Sequence, residues 1–580
     1  MQQNNGNILI ATILSVVVLL SWTWFVEKPK IEKKQHEVGS KKQEIVGKKQ
    51  EAEDGKEKQE LAKQQQTNVL TLKHRDEILS SSKESRVGIE SDSLHGSISL
   101  KGARFDDLTL AKYFDNVENK KEVALFAPAE SKERYFADFG WISSDSGLEM
   151  PNPNTFWKSD SKKLTPQNPV ILSWKNKQNV EFFIKISLDE NYVFAITQLV
   201  KNSAKNDISI ASYGRINRVL NNLKQSVYIL HEGPIGTFGG ILQEISYKDL
   251  IKDKIKKFSD GSEDGSWLGI TDKYWLSALI PDRSISYDAN FSYDQNNQNN
   301  FFGSEFVGQE FKIAAGEELK FEHHLFAGAK RVRLLDQYAK NFDLKLFDRA
   351  IDFGWFYFLT KPFFFIIEFL NKFLGNFGLA ILAMTVLIKL ALFPMANKSY
   401  AAIAKMKKLQ PKIEALRARF KDDKIAMNRE MMELYKREKI NPASGCLPIL
   451  IQIPIFFALY KVLYVTLDMR HAPFYGWIHD LSAPDPTSIF NLFGLLPFEV
   501  SSAFTIGIWP ILMGITMIIQ QKLSPASTDP TQAAILKWMP YVLTFVLAAF
   551  PAGLVIYWTW SNTLSVLQQW VITKKLNESN

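Results

Sequence analysis

FGLAILAMTVLIKLALFPM, residues 377 to 395, decides the fold. The run is about as long as a helix must be to cross a hydrocarbon core, and Lys389 is its one charged residue. Four further apolar runs follow at 447–467, 504–520, 533–550 and 554–572. The last two are divided by Pro551, Ala552 and Gly553, a break that reads as a tight helical hairpin rather than one long span. Near the N-terminus, Ile8 to Val26 is a further apolar run, ending in Trp22 and Trp24 as interfacial aromatics do. No basic region precedes it and no A-x-A site follows, so it reads as a retained anchor rather than a cleaved leader. These runs predict a polytopic α-helical membrane protein with six transmembrane helices, five of them in a C-terminal core.

Between the first span and the rest the composition changes. Residues 28–68 are rich in Lys, Glu and Gln, a mixture that cannot bury enough apolar surface to offset its ordering entropy, and they read as a charged linker. From 69 to 350 the period is two. VEFFIKISL at 180–188, the turn DEN, and YVFAITQLV at 192–200 predict a hairpin, and similar short runs predict a large antiparallel all-β sandwich. GWFYFLTKPFFFIIEFL at 354–370 is aromatic but interrupted by Lys361, Pro362 and Glu368; within 351–375 it predicts a helix lying in the membrane interface. The implied organisation is an anchor at 1–27, the linker, the β domain, the interfacial helix, the core at 376–573 and a short tail at 574–580.

Charge gives the orientation. The segment 398–445 is heavy in Lys and Arg, whereas Asp468 to Ser502 holds Arg470 as its only Lys or Arg. The first segment is therefore expected in the cytosol and the second outside it. Counting spans in both directions puts the β domain in the periplasm and both termini in the cytoplasm. The net charge of +8 accordingly reflects topology more than nucleic-acid binding. One cysteine, Cys446, excludes an internal disulfide, and it reads as a small buried hydrophobe.

Chemistry is sparse. The chain carries no Walker A, H-E-x-x-H, G-x-S-x-G or cysteine-based metal motif. His471, His479, Asp480 and Asp485 share a loop without ligand spacing, so neither a metal nor a cofactor is expected, and catalysis is unsupported. The informative residues lie in the spans. Lys389 sits about 10 Å from the cytosolic end of its helix, with Thr385 one turn away on the same face. It either lines a functional polar patch or snorkels to the surface. Gln452, Ser561, Asn562, Gln568 and Gln569 extend the polar set, each open to the plainer reading of an interhelical hydrogen bond. In 398–445, Ile403, Met406, Leu409, Ile413, Leu416 and Phe420 recur every three or four residues, followed by Ile425, Met431, Met432 and Tyr435. This predicts two amphipathic helices turning at 421–423. The basic face, with Lys405, Lys407, Lys408, Lys412, Arg417 and Arg419, suits ribosomal RNA, anionic lipid or an emerging apolar peptide; a merely solvated hairpin is the alternative.

Four stretches together resemble the YidC/Oxa insertases of Gram-negative bacteria. They are AKMKKLQPKIEALRARF at 404–420 with EMMELYKREKINPASGCLPILIQIPIFFALY at 430–460, RHAPFYGWIHDLSAPDP at 470–486, and FPAGLVIYWTWSN at 550–562. The resemblance covers nearly the whole chain. It implies a periplasmic β-supersandwich and a five-helix insertase core around a hydrophilic groove. The implied activity is insertion and chaperoning of nascent membrane proteins, alone or with the Sec translocon (SecYEG, SecDF), with ribosome and membrane lipids as further partners and no small-molecule substrate. Lys389 stands where the family usually carries an arginine, and Tyr557 and Trp558 stand where it carries a tyrosine pair. Positive charge is kept, while the planar fork and the second phenol are not. Two other classes compete: a secondary transporter, which calls for inverted repeats or paired broken helices, and a membrane-anchored, sugar-binding or mutarotase-like β-sandwich.

Overall fold

The computed structural model describes residues 74–116, 121–221, 230–260, 265–296, 299–420, 423–438, 440–441, 447–494, 496, 505–524 and 530–578. The anchor at 1–27, the linker, the turn residues 421 and 422 and Cys446 lie outside them.

The hairpin at 180–200 forms because its alternation gives each strand one apolar face. Val180, Phe182, Ile184, Ile186 and Leu188 are all buried, while Lys185 is exposed. Val180–Leu188 pairs antiparallel with Val193–Asn202, from Leu188 opposite Phe194 to Val180 opposite Asn202. The DEN turn is closed by Asp189, whose Oδ1 accepts from the N–H groups of Asn191 and Val193, both at 2.9 Å. Val193–Asn202 pairs on its other side with Glu318–Ala329, in the middle of a nine-stranded sheet. An eleven-stranded sheet, running through Tyr135–Ile142, Ile208–Val219 and Asn299–Gly308, packs across it. Among the described strands every pairing is antiparallel except that of Arg86–Glu90 with Lys163–Leu164.

Aromatic side chains fill the space between the sheets. Phe105 meets Phe194 with ring centres 5.2 Å apart, and Trp141 meets Phe182 at the same distance. Each such fully buried ring contributes about 1.5–3 kcal/mol. His323 is buried among Phe139, Phe306 and Phe321; its Nδ1 accepts from the Asp282 N–H at 2.9 Å, and its Nε2 lies 3.2 Å from Ser212 Oγ. Burial holds its pKa down at about 3.

After the helix Val332–Asn341 and a short turn at Phe347–Ala350 the chain becomes helical. We number these helices α1 (Tyr357–Leu374), α2 (Phe377–Ala391), α3 (Phe393–Arg419), α4 (Lys424–Arg437), α5 (Leu447–Val465), α6 (Ile508–Leu523), α7 (Pro530–Leu547) and α8 (Ala552–Glu578). Salt bridges seat the β sandwich on them. Lys361 of α1 reaches Asp336 at 2.6 Å and Asp348 at 2.8 Å, Arg333 reaches Glu368 at 2.7 Å, and Lys461 of α5 reaches Asp352 at 2.9 Å. Lys330, fully buried beside this junction, donates to Thr271 Oγ1 and the Ala350 carbonyl; burial lowers its pKa to about 8.

The helices correct several boundaries. The run 377–395 is not one straight helix: α2 stops at Ala391, and α3 starts at Phe393 at an angle of 71° to it. Pro394 is the reason, since it has no N–H to continue α2 but fits the first turn of a new helix. The basic hairpin's first helix therefore begins before residue 398 and runs unbroken through Pro411. Among the described residues no single helix is both long and apolar enough to cross a membrane; the bent pair α2–α3 qualifies by length and composition. Shorter apolar helices occupy Leu450–Val465, Ile508–Leu523 and Ala533–Leu547.

α1 has two apolar faces. Thr360, Phe363, Phe364 and Ile367 are buried, while Phe358, Phe369 and Phe373 are exposed. Its charged residues are spent on neighbours, Lys361 at the junction and Glu368 with Arg333 and Lys372. A helix so exposed to the outside with aromatic residues is suited to lipid rather than water.

Candidate functional site

α8 is the hub of the helical region, touching α2, α3, α5 and α6. Tyr557, Ser561 and Ser565 recur every four residues and so share one of its faces. All three are buried. In an otherwise apolar bundle, buried hydroxyls need partners, and the neighbouring helices supply them.

Lys389, half-buried on α2, donates from Nζ to Ser565 Oγ at 2.8 Å. Ser565 in turn donates to the Ser561 carbonyl at 2.9 Å. Tyr400 of α3 is buried nearby. Two turns towards the start of α8 from Ser565, the Tyr557 hydroxyl accepts from Gln452 Nε2 of α5. On the adjoining face Asn562 Nδ2 donates to Thr516 Oγ1 of α6 at 3.2 Å. Nearer the C-terminus, Gln568 donates to Asn397 Oδ1 at 2.8 Å and Gln569 to the Leu523 carbonyl at 3.1 Å. The result is a polar seam of one cation and neutral groups spread along α8. Among the described residues no carboxylate forms an ion pair with Lys389.

Of the residues singled out in the sequence, Lys389, Gln452, Tyr557, Ser561, Asn562, Gln568 and Gln569 lie along the contacts of α8 with its neighbours. Thr385 is buried on α2, but its hydroxyl donates to the Ile381 carbonyl of its own helix at 2.7 Å. Trp558 packs edge-on against Phe456, with ring centres 4.7 Å apart. Ser565, Tyr400, Asn397 and Thr516 complete the seam and were not anticipated. Ser565 was visible as the next step of the four-residue spacing from Tyr557 and Ser561. The others are single polar residues whose facing depends on the bend after α2.

In the hairpin the apolar stripe of α3 is covered, whereas Ile425 and Met432 of α4 are exposed. Ile403, Met406, Leu409 and Ile413 pack on Leu434, Tyr435 and Ile440, with Ile572 of α8 against the same cluster. Lys405, Lys407, Lys408, Lys412 and Arg419 are exposed and Arg417 is half-buried. Lys412 pairs with Glu438 at 2.9 Å, and Lys407 donates to the Lys522 carbonyl at 3.2 Å, near the C-terminal end of α6 where a cation is favoured. Among the described residues no group of His, Cys, Asp or Glu could hold a metal. Asp485 is instead occupied by backbone and indole donors.

Comparison with known proteins agrees with this architecture. Residues 369–579 match the family described as 60Kd inner membrane protein, and residues 86–366 match the YidC periplasmic domain. The class is thus an inner membrane protein with a helical C-terminal part and a periplasmic β domain. The curated membrane protein insertases YidC of Rickettsia bellii and Rickettsia felis are each 48% identical over 575 residues, covering 99% of this chain and all of theirs. The chain belongs to the YidC family of membrane protein insertases. Among solved structures, that of an active YidC insertase with its first transmembrane domain resolved aligns at a TM-score of 0.34 and 16% identity, over 83% of this chain and 92% of that one.

Proposed function

We propose that this protein inserts hydrophobic segments of nascent proteins into the inner membrane, using the polar seam around Lys389 as the path of a substrate's polar flank. The carrying observation is that seam: a half-buried cation, with no carboxylate partner among the described residues, hydrogen-bonded to Ser565 and set beside a row of buried hydroxyls and amides along α8. A polar flank crossing hydrocarbon loses its hydrogen bonds to water. Seam groups that exchange their mutual bonds for bonds to the flank lower that barrier. The apolar segment then leaves sideways into lipid, driven by its own burial, and no nucleotide is consumed.

The short helices support a second contribution. α2 at 15 residues and α6 at 16 reach about 22–24 Å, less than the roughly 30 Å of a typical hydrocarbon core. Thinning of the bilayer at these helices shortens the barrier further. On this reading there are six spans in the order given by the sequence analysis, the first core span ending at the bend after Ala391, and both termini are cytoplasmic. The contact of the β domain with the loop 467–488 supports a periplasmic position for that loop, and the hairpin then faces the cytosol. Its exposed lysines and arginines suit the ribosome or anionic lipid, and α1 suits the outer leaflet. Cooperation with the Sec translocon belongs to the same proposal.

The test is photocrosslinking. Photoreactive residues at 452, 561 and 565 are expected to capture ribosome-bound nascent membrane proteins, and residues on the lipid-facing side of α7, such as Val542 and Val546, to capture them less. Equal capture from both sets would remove the seam from the path.

A further inference from the structure

The loop 467–488 holds two helices by their starts. The first N–H groups of any helix need acceptors from outside it, and Gly507, the residue before α6, has no side chain to offer one. Asp485, twenty-four residues before Trp509 and 2% exposed, supplies it: Oδ2 accepts from the Trp509 N–H at 3.0 Å. Its Oδ1 accepts from Trp477 Nε1 at 3.1 Å, the Thr487 N–H at 3.0 Å and the Thr487 hydroxyl at 2.7 Å. That hydroxyl accepts in turn from the Ile508 N–H at 3.0 Å. A carboxylate here also faces the positive end of the helix dipole. Glycine at 507 is required by this arrangement, because a Cβ there would stand 2.6 Å from the Cβ of Asp485.

The same loop caps α8. The carbonyls of Ala483 and Leu481 accept from the N–H groups of Ala552 at 2.7 Å and Gly553 at 3.0 Å. From these two anchored ends, Thr516 lies about 12 Å down α6 and Asn562 about 14 Å down α8, and there the two side chains meet. Further back in the loop Arg470 donates to the carbonyls of Phe114 at 2.7 Å and Asp115 at 3.1 Å, so the strap is also fastened to the β domain.

We infer that Asp485, relayed by Thr487, is a positioning residue: it sets the axial register of α6 against α8 and thereby keeps Thr516 opposite Asn562. Its importance for insertion rests on the seam reading above. Register is measured independently of insertion in full-length protein in native membranes, with Cys446→Ser and the pair Met513→Cys and Val555→Cys. Met513 and Val555 share an apolar cluster between α6 and α8. Oxidation by membrane-permeant diamide is expected to join them as a disulfide in the parent. Asp485→Ala and the isosteric Thr487→Val are expected to lower the linked fraction by about threefold or more, as loss of a helix cap does, and Thr487→Ser to restore it. If Asp485→Ala does not accumulate, the Val and Ser variants at 487 decide alone. Equal linking in Thr487→Val and Thr487→Ser would overturn the inference. Lost linking together with lost insertion supports both this role and the seam reading, whereas lost linking with full insertion keeps the register role and refutes the seam reading.

Discussion

Lowering the pH from 7 to 5 should destabilise the β sandwich, and the size of the effect follows from three buried groups. His323 and His231 are held neutral by burial, with pKa values of about 3 and about 4 against 6.5 when exposed. A depressed folded pKa means that the unfolded chain takes up the proton first, so stability present above pH 6.5 is lost as pH falls towards the folded value. Over this interval each histidine contributes a loss of about 2 kcal/mol. Asp106 opposes them: burial raises its pKa to about 6 despite Arg86, so the folded state gains a proton and about 1 kcal/mol. The net loss is about 2–3 kcal/mol. The assay is urea unfolding of the full-length protein at both pH values, followed by hydrogen exchange of the strand Glu318–Ala329. His323→Phe should lower stability at pH 7, because it orphans the Asp282 N–H and the Ser212 hydroxyl, yet roughly halve or more the pH dependence. Stability that is flat or rising as pH falls to 5, or a pH dependence unchanged by His323→Phe, would refute the reasoning.

Other perturbations test other joints. Gly328→Ala puts a methyl group into the ring of Tyr192, and urea unfolding should show a loss of about 1–3 kcal/mol. Lys361→Met leaves Asp336 and Asp348 without their shared cation at the junction, and limited proteolysis between the β domain and α1 should accelerate, with a stability loss of about 3 kcal/mol. Ile413→Ala opens a cavity between α3 and α4, and protease sensitivity of the hairpin should rise as about 2–4 kcal/mol of packing is lost.

What the sequence disclosed, and what it withheld, follows from the range of each interaction. Period-two alternation at 180–200 determines a hairpin locally, and the DEN turn carries its own Asp189 bonds, so both were legible. The apolar stripe from Ile403 to Ile413 was legible for the same reason, with 3.6 in place of 2. The bend after Ala391 was not, because the apolar run continues straight through it and the single cue was Pro394. Lys389 stood out as a charge in an apolar run, but its partner Ser565 lies 176 residues away and serine carries no distinctive signal. Asp485 was noticed as one of a group of titratable residues and read as metal chemistry not supported; its capping of α6 depends on Gly507 and a loop closure that no local pattern encodes.

The central claim, that Lys389 offers positive charge along the substrate path, is tested most directly by inserting two substrates that differ only in an acidic or a neutral translocated flank. Lys389→Arg should insert both, since both cations reach the same seam. Lys389→Glu should fail, because the sign reverses where the effective dielectric is below that of water. Lys389→Ala should impair the acidic-flank substrate and largely spare the neutral one. Equal insertion of both substrates by the alanine and glutamate variants would contradict the account and leave Lys389 a snorkelling lysine.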